Sequence, residues 1–254
     1  MLIYRAYWLC TRGMLNRNID SFIFESSHDN DKLVIFFGGL WGGLGIRTPP
    51  FEFVKTTKFA DYNRIFVRDV FQLWYHKGLY GFTGNIVETI DFLANIVENG
   101  GFSKVCCVGN SAGGFASILF GVNINADIVH AFSPQTFLNL PLKLRYRDFR
   151  WKKMTYYLYR NKMGKKYLDL CREIMDKKYD TKIFVHYCMN NRLDKLHAKR
   201  IEECSGVKLL GYPCDDHQAA KHIRKYSYLG RIIESEDFGD LERLNNEIFT
   251  IWKK

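Results

Sequence analysis

The apolar positions of this chain fall into short continuous runs, separated by stretches in which they recur at helical spacing. Residues 19–25 (Ile-Asp-Ser-Phe-Ile-Phe-Glu) alternate apolar and polar, as a half-buried strand does. After a polar turn at 26–31, Leu33-Val-Ile-Phe-Phe37 is apolar throughout, the pattern of a strand covered on both faces. The two together predict a hairpin at a sheet edge. Pro49-Pro50 opens a stretch to residue 60 that reads as a helix, because proline suits a first helical turn. Residues 64–70 form another strand, and 71–84 an aromatic loop at its tip. Positions 86, 87, 90, 93, 96 and 97 are apolar at helical spacing, and Gly100-Gly101 ends that helix. Strands follow at 105–108, 126–132, 182–188 and 207–212. Helices are predicted over 115–120, over 196–204, and from the loop at 213–217 to about residue 233.

Strands and helices therefore alternate from residue 33 onward. That order predicts an α/β fold with a mostly parallel central sheet flanked by helices. A chain of 254 residues fits one such domain, with enough buried surface to need no staples. Residues 137–180 break the alternation and read as a helical cap insertion over the strand tips. Residues 234–254 carry Leu241, Leu244, Ile248 and Ile251 at helical spacing, so the tail is expected to dock on the body or on another subunit of a homo-oligomer. Ligands of open parallel sheets bind at the carboxyl ends of the strands, which directs attention to the strand tips.

Two tips carry unusual chemistry. Val105-Cys-Cys-Val runs directly into Gly109-Asn110-Ser111-Ala112-Gly113 and then into a helix. A strand-to-helix turn this sharp holds Ser111 in a strained conformation and needs small neighbours on both sides. It leaves the hydroxyl at the strand tip and the Ala112 amide free to donate to an anionic oxygen. At the tip of 33–37, five of the eight residues 38–45 are glycine. Their backbone amides can turn toward a ligand, with Gly39 or Leu40 as the donor. A phosphate loop is disfavoured by the lack of a Gly-Lys-Ser/Thr ending and of a GxGxxG opening a helix.

A serine hydroxyl needs a base within hydrogen-bond reach, and the base needs an orienting group. Of the seven histidines, His217 lies in a polar loop after a late strand, and His76 is a second candidate in the loop at 71–84. His130 and His186 sit inside apolar strands, His28 in a distal turn, and His197 and His222 in helices. Asp194 follows the penultimate strand. Asp215 and Asp216 adjoin His217, but neighbours in sequence orient a ring poorly. Trp41, Trp74 and His76 follow strand tips and are candidate substrate contacts.

Charge changes the picture in one place. The net charge of +10 is concentrated in 137–180, where 13 Lys/Arg face 5 Asp/Glu, leaving +2 for the other 210 residues. The bases there are interleaved with Tyr146, Phe149, Trp151, Tyr156, Tyr157 and Tyr159. This segment fits an anionic small-molecule or glycan substrate, or peripheral contact with an anionic membrane. It carries no nucleic-acid-binding motif, and no nucleic acid partner is expected. Seven cysteines, an odd number without CxxC spacing, predict reduced thiols, with neither a disulfide framework nor a zinc or other metal site. The N-terminus lacks a cleavable signal and no run is long enough to span a membrane, so a cytoplasmic location is expected.

On the Gly-Asn-Ser-Ala-Gly elbow and the chain order Ser111, Asp194, His217, the sequence resembles the α/β-hydrolase-fold serine hydrolases over roughly residues 19–233. The resemblance implies Ser111 as nucleophile, His217 as base, Asp194 as acid, and an oxyanion hole from Ala112 with Gly39 or Leu40. It implies no cofactor, and places a lid where 137–180 lies. The strand at 33–37 ends Phe-Phe-Gly-Gly and lacks the His-Gly common in that family. Two stretches, FVRDVFQLWYHKGL and FSPQTF, also resemble hydrolase-like proteins of bacterial surface-polysaccharide gene clusters. The implied activity is hydrolysis of an ester or thioester through an acyl-enzyme. Acyl transfer on the same fold, or a non-catalytic binding module using the basic cap, are the alternatives.

Overall fold

A computed structural model describes residues 20–27, 30–41, 49–160, 166–175 and 177–252. Seven strands form one sheet: β1 (Phe22–Glu25), β2 (Lys32–Phe37), β3 (Asn63–Val67), β4 (Lys104–Asn110), β5 (Ile128–Phe132), β6 (Lys182–Cys188) and β7 (Val207–Tyr212). Their spatial order is β1-β3-β2-β4-β5-β6-β7. All neighbours run parallel except β1, which pairs antiparallel with β3, Phe22 opposite Val67 and Glu25 opposite Arg64.

The predicted edge hairpin is thus corrected: β1 does not pair with β2. Leu33 to Phe37 are all 0–1% exposed, and a strand apolar on both faces belongs inside a sheet. β2 accordingly sits between β3 and β4, and half-buried β1 takes the edge. Asn63 ties the corner, its amide donating to the Asn30 carbonyl at 2.6 Å while its oxygen accepts the Ser27 amide at 3.0 Å. The helix predicted from Pro49 is also absent; residues 51–60 form turns. Phe53 takes a positive φ of 66°, which a helix cannot continue through. Its ring stacks on Phe36, while Phe51 lies under the Arg68 guanidinium. Tertiary packing of these aromatics overrides the local propensity.

The strands' alternate side chains feed two cores. Leu33, Ile35 and Phe37 join α1 (Ile86–Gly100) and α2 (Ala112–Asn123) on one face. Val34 and Phe36 meet α7 (Ala219–Lys225), α8 (Leu229–Glu234) and α9 (Phe238–Trp252) on the other. α1 begins where Asn85 accepts the Glu88 amide and Glu88 returns to the Gly84 amide, and it ends at left-handed Gly101. The single helix expected after residue 217 is two, broken at Ser227 with φ 64°. In the tail, Leu241, Leu244 and Ile248 are buried against the body, whereas Ile251 is exposed.

Between β5 and β6 stand α3 (Leu140–Tyr146), α4 (Lys152–Arg160) and α5 (Leu170–Met175). α6 (Arg192–Arg200) follows β6 and starts earlier than expected, because Asn191 caps it by accepting the Leu193 and Asp194 amides. Asp194 therefore lies in a first helical turn, not in a loop. Cys188 and Cys214 form a disulfide, which corrects the expectation of uniformly reduced thiols. Parallel β6 and β7 end side by side, so two residues 26 apart in sequence come within 4.8 Å between Cα atoms. Cys106, Cys107, Cys171 and Cys204 are free thiols. Among the described residues no helix is long and apolar enough to cross a membrane.

Candidate active site

The carboxyl ends of β2, β4, β5, β6 and β7 form one rim. Chain order reverses between β2 and β4, the place where open α/β sheets form a crevice. Ser111 closes β4 with φ 55° and ψ −113°, a strained conformation for a residue with a side chain. Two backbone hydrogen bonds hold it there. The Ser111 amide donates to the Phe132 carbonyl at 2.8 Å, and its own carbonyl accepts the Phe115 amide at 3.0 Å. The flanking glycines allow the approach: a Cβ on Gly109 would meet the Gly113 oxygen at 2.0 Å, and a Cβ on Gly113 the Phe37 oxygen at 2.0 Å.

Ser111 Oγ lies 2.8 Å from His217 Nε2. On the far side of the ring, His217 Nδ1–H donates to Asp194 Oδ1 at 2.5 Å, the carboxylate partner fixing this tautomer. Ser111 and Asp194 are buried, and the His217 side chain is 19% exposed. Burial would raise the Asp194 carboxyl, but the hydrogen bond and charge of His217, with Arg150, hold it below the usual carboxylate range. A hydroxyl bonded to an imidazole that a buried carboxylate orients can pass its proton to the ring.

The glycine tip of β2 adjoins this serine. A Cβ on Gly39 would lie 3.5 Å from Ser111 Cβ. The Gly38 carbonyl accepts the Tyr75 hydroxyl at 2.8 Å, and the Gly38 amide donates to Val67 at 2.9 Å. Farther along, Arg68 donates to the Pro49 carbonyl at 2.9 Å. Leu40 packs on the core and Trp41 is exposed; residues 42–45 of the glycine run, and His28, lie outside the described residues. Ala112 opens α2, where leading amides have no partner within the helix.

The aromatic loop behaves differently from the expectation that it lines the site. Trp74 and His76 are buried. Trp74 Nε1 donates to Gln135 at 2.6 Å, and His76 Nδ1 donates to the Leu73 carbonyl at 2.9 Å. Burial lowers His76 to about 4, so it stays neutral. The loop is wound around Asp69, which accepts the Leu73 and Tyr75 amides. Trp74 and Tyr75 fill the core beneath the rim, whereas Phe71 and Tyr80 are exposed. His130 and His186 are buried in β5 and β6 and bond each other at 3.1 Å.

Two residues went unremarked in the sequence. Glu52 stands beside Gly39, hydrogen-bonded by the Gly39 amide and the Asn110 side chain; burial pushes its carboxyl up to about 7. Arg150, counted only as one basic residue of the cap, reaches both Asp194 and His217. Neither has a local signature, since each matters through neighbours distant in the chain. Among the described residues no cluster of metal-ligating side chains occurs.

No protein-family model matches the chain, and no curated protein sequence matches it. Solved structures do. The capsule O-acetyltransferase of Neisseria meningitidis serogroup A superposes with a TM-score of 0.61 at 16% identity, covering 87% of this chain and 94% of that one. A fluorophosphonate-binding serine hydrolase of Staphylococcus aureus gives 0.54 at 12% identity, over 87% and 96% of the two chains. An esterase of Pyrococcus furiosus gives 0.51 at 13%, over 88% and 91%. The parallel sheet, its flanking helices and these similarities identify the fold of this chain as the α/β-hydrolase fold.

Proposed function

We propose that this chain is a serine acyl-transfer enzyme that cleaves an ester or thioester. The observation that carries the reading is the continuous hydrogen-bond chain from Ser111 Oγ through His217 to Asp194, with Ser111 held strained at the elbow. His217 Nε2 takes the hydroxyl proton as Ser111 Oγ bonds to the acyl carbon. The carbonyl electrons move onto oxygen, and the resulting oxyanion is met by the amides of Ala112 and Leu40. The Gly39 amide is engaged with Glu52, which leaves Leu40 as the partner of Ala112. The tetrahedral centre collapses, His217 returns the proton to the leaving group, and an acyl-enzyme remains. Water or an acceptor hydroxyl then repeats the sequence in reverse.

A non-catalytic scaffold has no need for an elbow strained in this way, nor for a base in register with it. Transfer to a glycan hydroxyl is the second reading. It is favoured by the similarity to the Neisseria enzyme, one structure of which is described as a complex with CoA. The exposed Arg145, Arg147, Lys152 and Lys153 of the cap suit an anionic donor or acceptor.

The test is labelling by a fluorophosphonate probe. Wild type should label, and Ser111→Ala should not, with turnover of chromogenic esters down by about 10⁴–10⁶. Equal labelling of both proteins would refute the proposal. Acetyl-CoA consumption that depends on an added glycan would select transfer over hydrolysis.

A further inference from the structure

Arg150 lies in the turn between α3 and α4, far in sequence from every residue of the hydrogen-bond chain. Its guanidinium is nevertheless spent entirely on this site. Nε donates to Asp148 Oδ1 at 2.9 Å and Nη2 to Asp148 Oδ2 at 2.9 Å, a two-pronged pair. The third nitrogen, Nη1, donates to Asp194 Oδ1 at 3.3 Å and stands 3.2 Å from His217 Nδ1. Because Nδ1 carries the proton given to Asp194, this last approach is a contact between charge and ring and not a hydrogen bond.

The support behind Arg150 is equally specific. Asp148 is buried, and its Oδ2 also accepts His197 Nε2–H at 2.9 Å. The other His197 nitrogen accepts the Thr136 amide at 3.0 Å, so its tautomer is fixed and the ring is neutral. Burial lowers His197 to about 4, against the pull of Asp148. Burial would raise Asp148, but its hydrogen bonds to His197 and Arg150 hold it well below the usual carboxylate range. Asp148 therefore stays an anion and keeps the guanidinium turned toward Asp194. A lysine could not take this place, since a single ammonium lacks the fork that grips Asp148 while a separate N–H reaches Asp194.

On the reading of Ser111, His217 and Asp194 given above, we infer that Arg150 is a positioning residue through which the cap completes the site: it holds Asp194 and the tautomer of His217 in place. Among the described residues, the side chains hydrogen-bonded to or touching the ring of His217 are Ser111, Asp194 from α6 and Arg150 from the cap. Arg150 is the cation that touches the ring among the described residues. Without it Asp194 Oδ1 keeps His217 as a donor but loses Arg150, and carboxylate and ring are free to turn away from the line to Ser111.

Full-length Arg150→Met and Arg150→Lys are compared with wild type. The readouts are the rate of fluorophosphonate labelling, kcat and KM on a chromogenic ester, and the low-field proton resonance of His217 Nδ1–H, assigned by its loss in Asp194→Asn. In Arg150→Met we expect labelling at neutral pH to fall about tenfold. KM should stay unchanged and the resonance should broaden or vanish. Arg150→Lys should lower kcat as well, since it keeps the charge and loses the fork that grips Asp148. An Arg150→Met protein with wild-type kcat and an undiminished resonance overturns the inference, even if it is less stable. Should wild type fail to label at all, the functional proposal falls, and the resonance alone still decides the role of Arg150.

Discussion

Replacing Gly113 with alanine tests whether the elbow is built from a close approach of helix and strand. The added Cβ would sit 2.0 Å from the Phe37 oxygen, 2.7 Å from its carbonyl carbon and 2.9 Å from the Gly38 carbon. Ordinary carbon contacts are about 3.5 Å or more, so α2 and β2 must separate by about 1 Å. The atoms met are backbone, and β2 is bonded on both sides, so neither partner yields by turning a side chain. Overpacking of this kind costs about 1–3 kcal/mol. For a domain of this size that lowers the melting temperature by about 2–12 °C. The same displacement carries the Ala112 amide and Ser111 away from Leu40 and His217, and a misplacement of about 1 Å costs on the order of 10² in rate. The assay pairs thermal unfolding with the rate of fluorophosphonate labelling. Gly230→Ala, in α8 with nothing within 4 Å of the new Cβ, serves as control. The control should label normally and be as stable as wild type or slightly more so. A Gly113→Ala protein with wild-type melting and wild-type labelling would show that the packing argument is wrong.

Two further outcomes follow from buried groups and covalent links. Glu52 is raised to about 7 in the folded chain, so the folded state binds its proton more tightly than the unfolded one. Stability assigned to it is present at low pH and is lost as pH rises from the unfolded value toward 7. Glu52→Gln should therefore be more stable than wild type at pH 8 by on the order of 1–2 kcal/mol, with the difference shrinking toward pH 5; melting curves at the two pH values check this, and a difference independent of pH counts against it. The Cys188–Cys214 bond closes a loop of 26 residues that contains Asp194. Its removal in Cys188→Ser should cost about 3 kcal/mol, read as a melting temperature lower by roughly 6–12 °C, and an unchanged value would show that the bridge does not form in solution.

Much of the architecture is legible in local pattern. The apolar run at 33–37 marks a buried strand whatever surrounds it, and the Gly109–Gly113 elbow follows from steric limits that act within five residues. The capping of α1 by Asn85 and Glu88 and its end at Gly101 are equally local. What the pattern did not contain was which distant segments become neighbours. Local pattern pairs β1 with the strand nearest in sequence, whereas the sheet pairs it with β3, because doubly buried β2 is needed inside. The stretch from Pro49 reads as a helix until its phenylalanines find places against Phe36, Phe132 and Arg68. Cys188 and Cys214 show no motif, yet adjacent parallel strands deliver both to one rim. Arg150 and Glu52 are ordinary charges in the sequence; only the folded chain sets one against Asp194 and the other against Gly39. Periodicity and sterics act over a few bonds and can be read from residue order. Hydrogen bonds, charges and disulfides act across space, and it is the winding of the sheet that decides which of them meet.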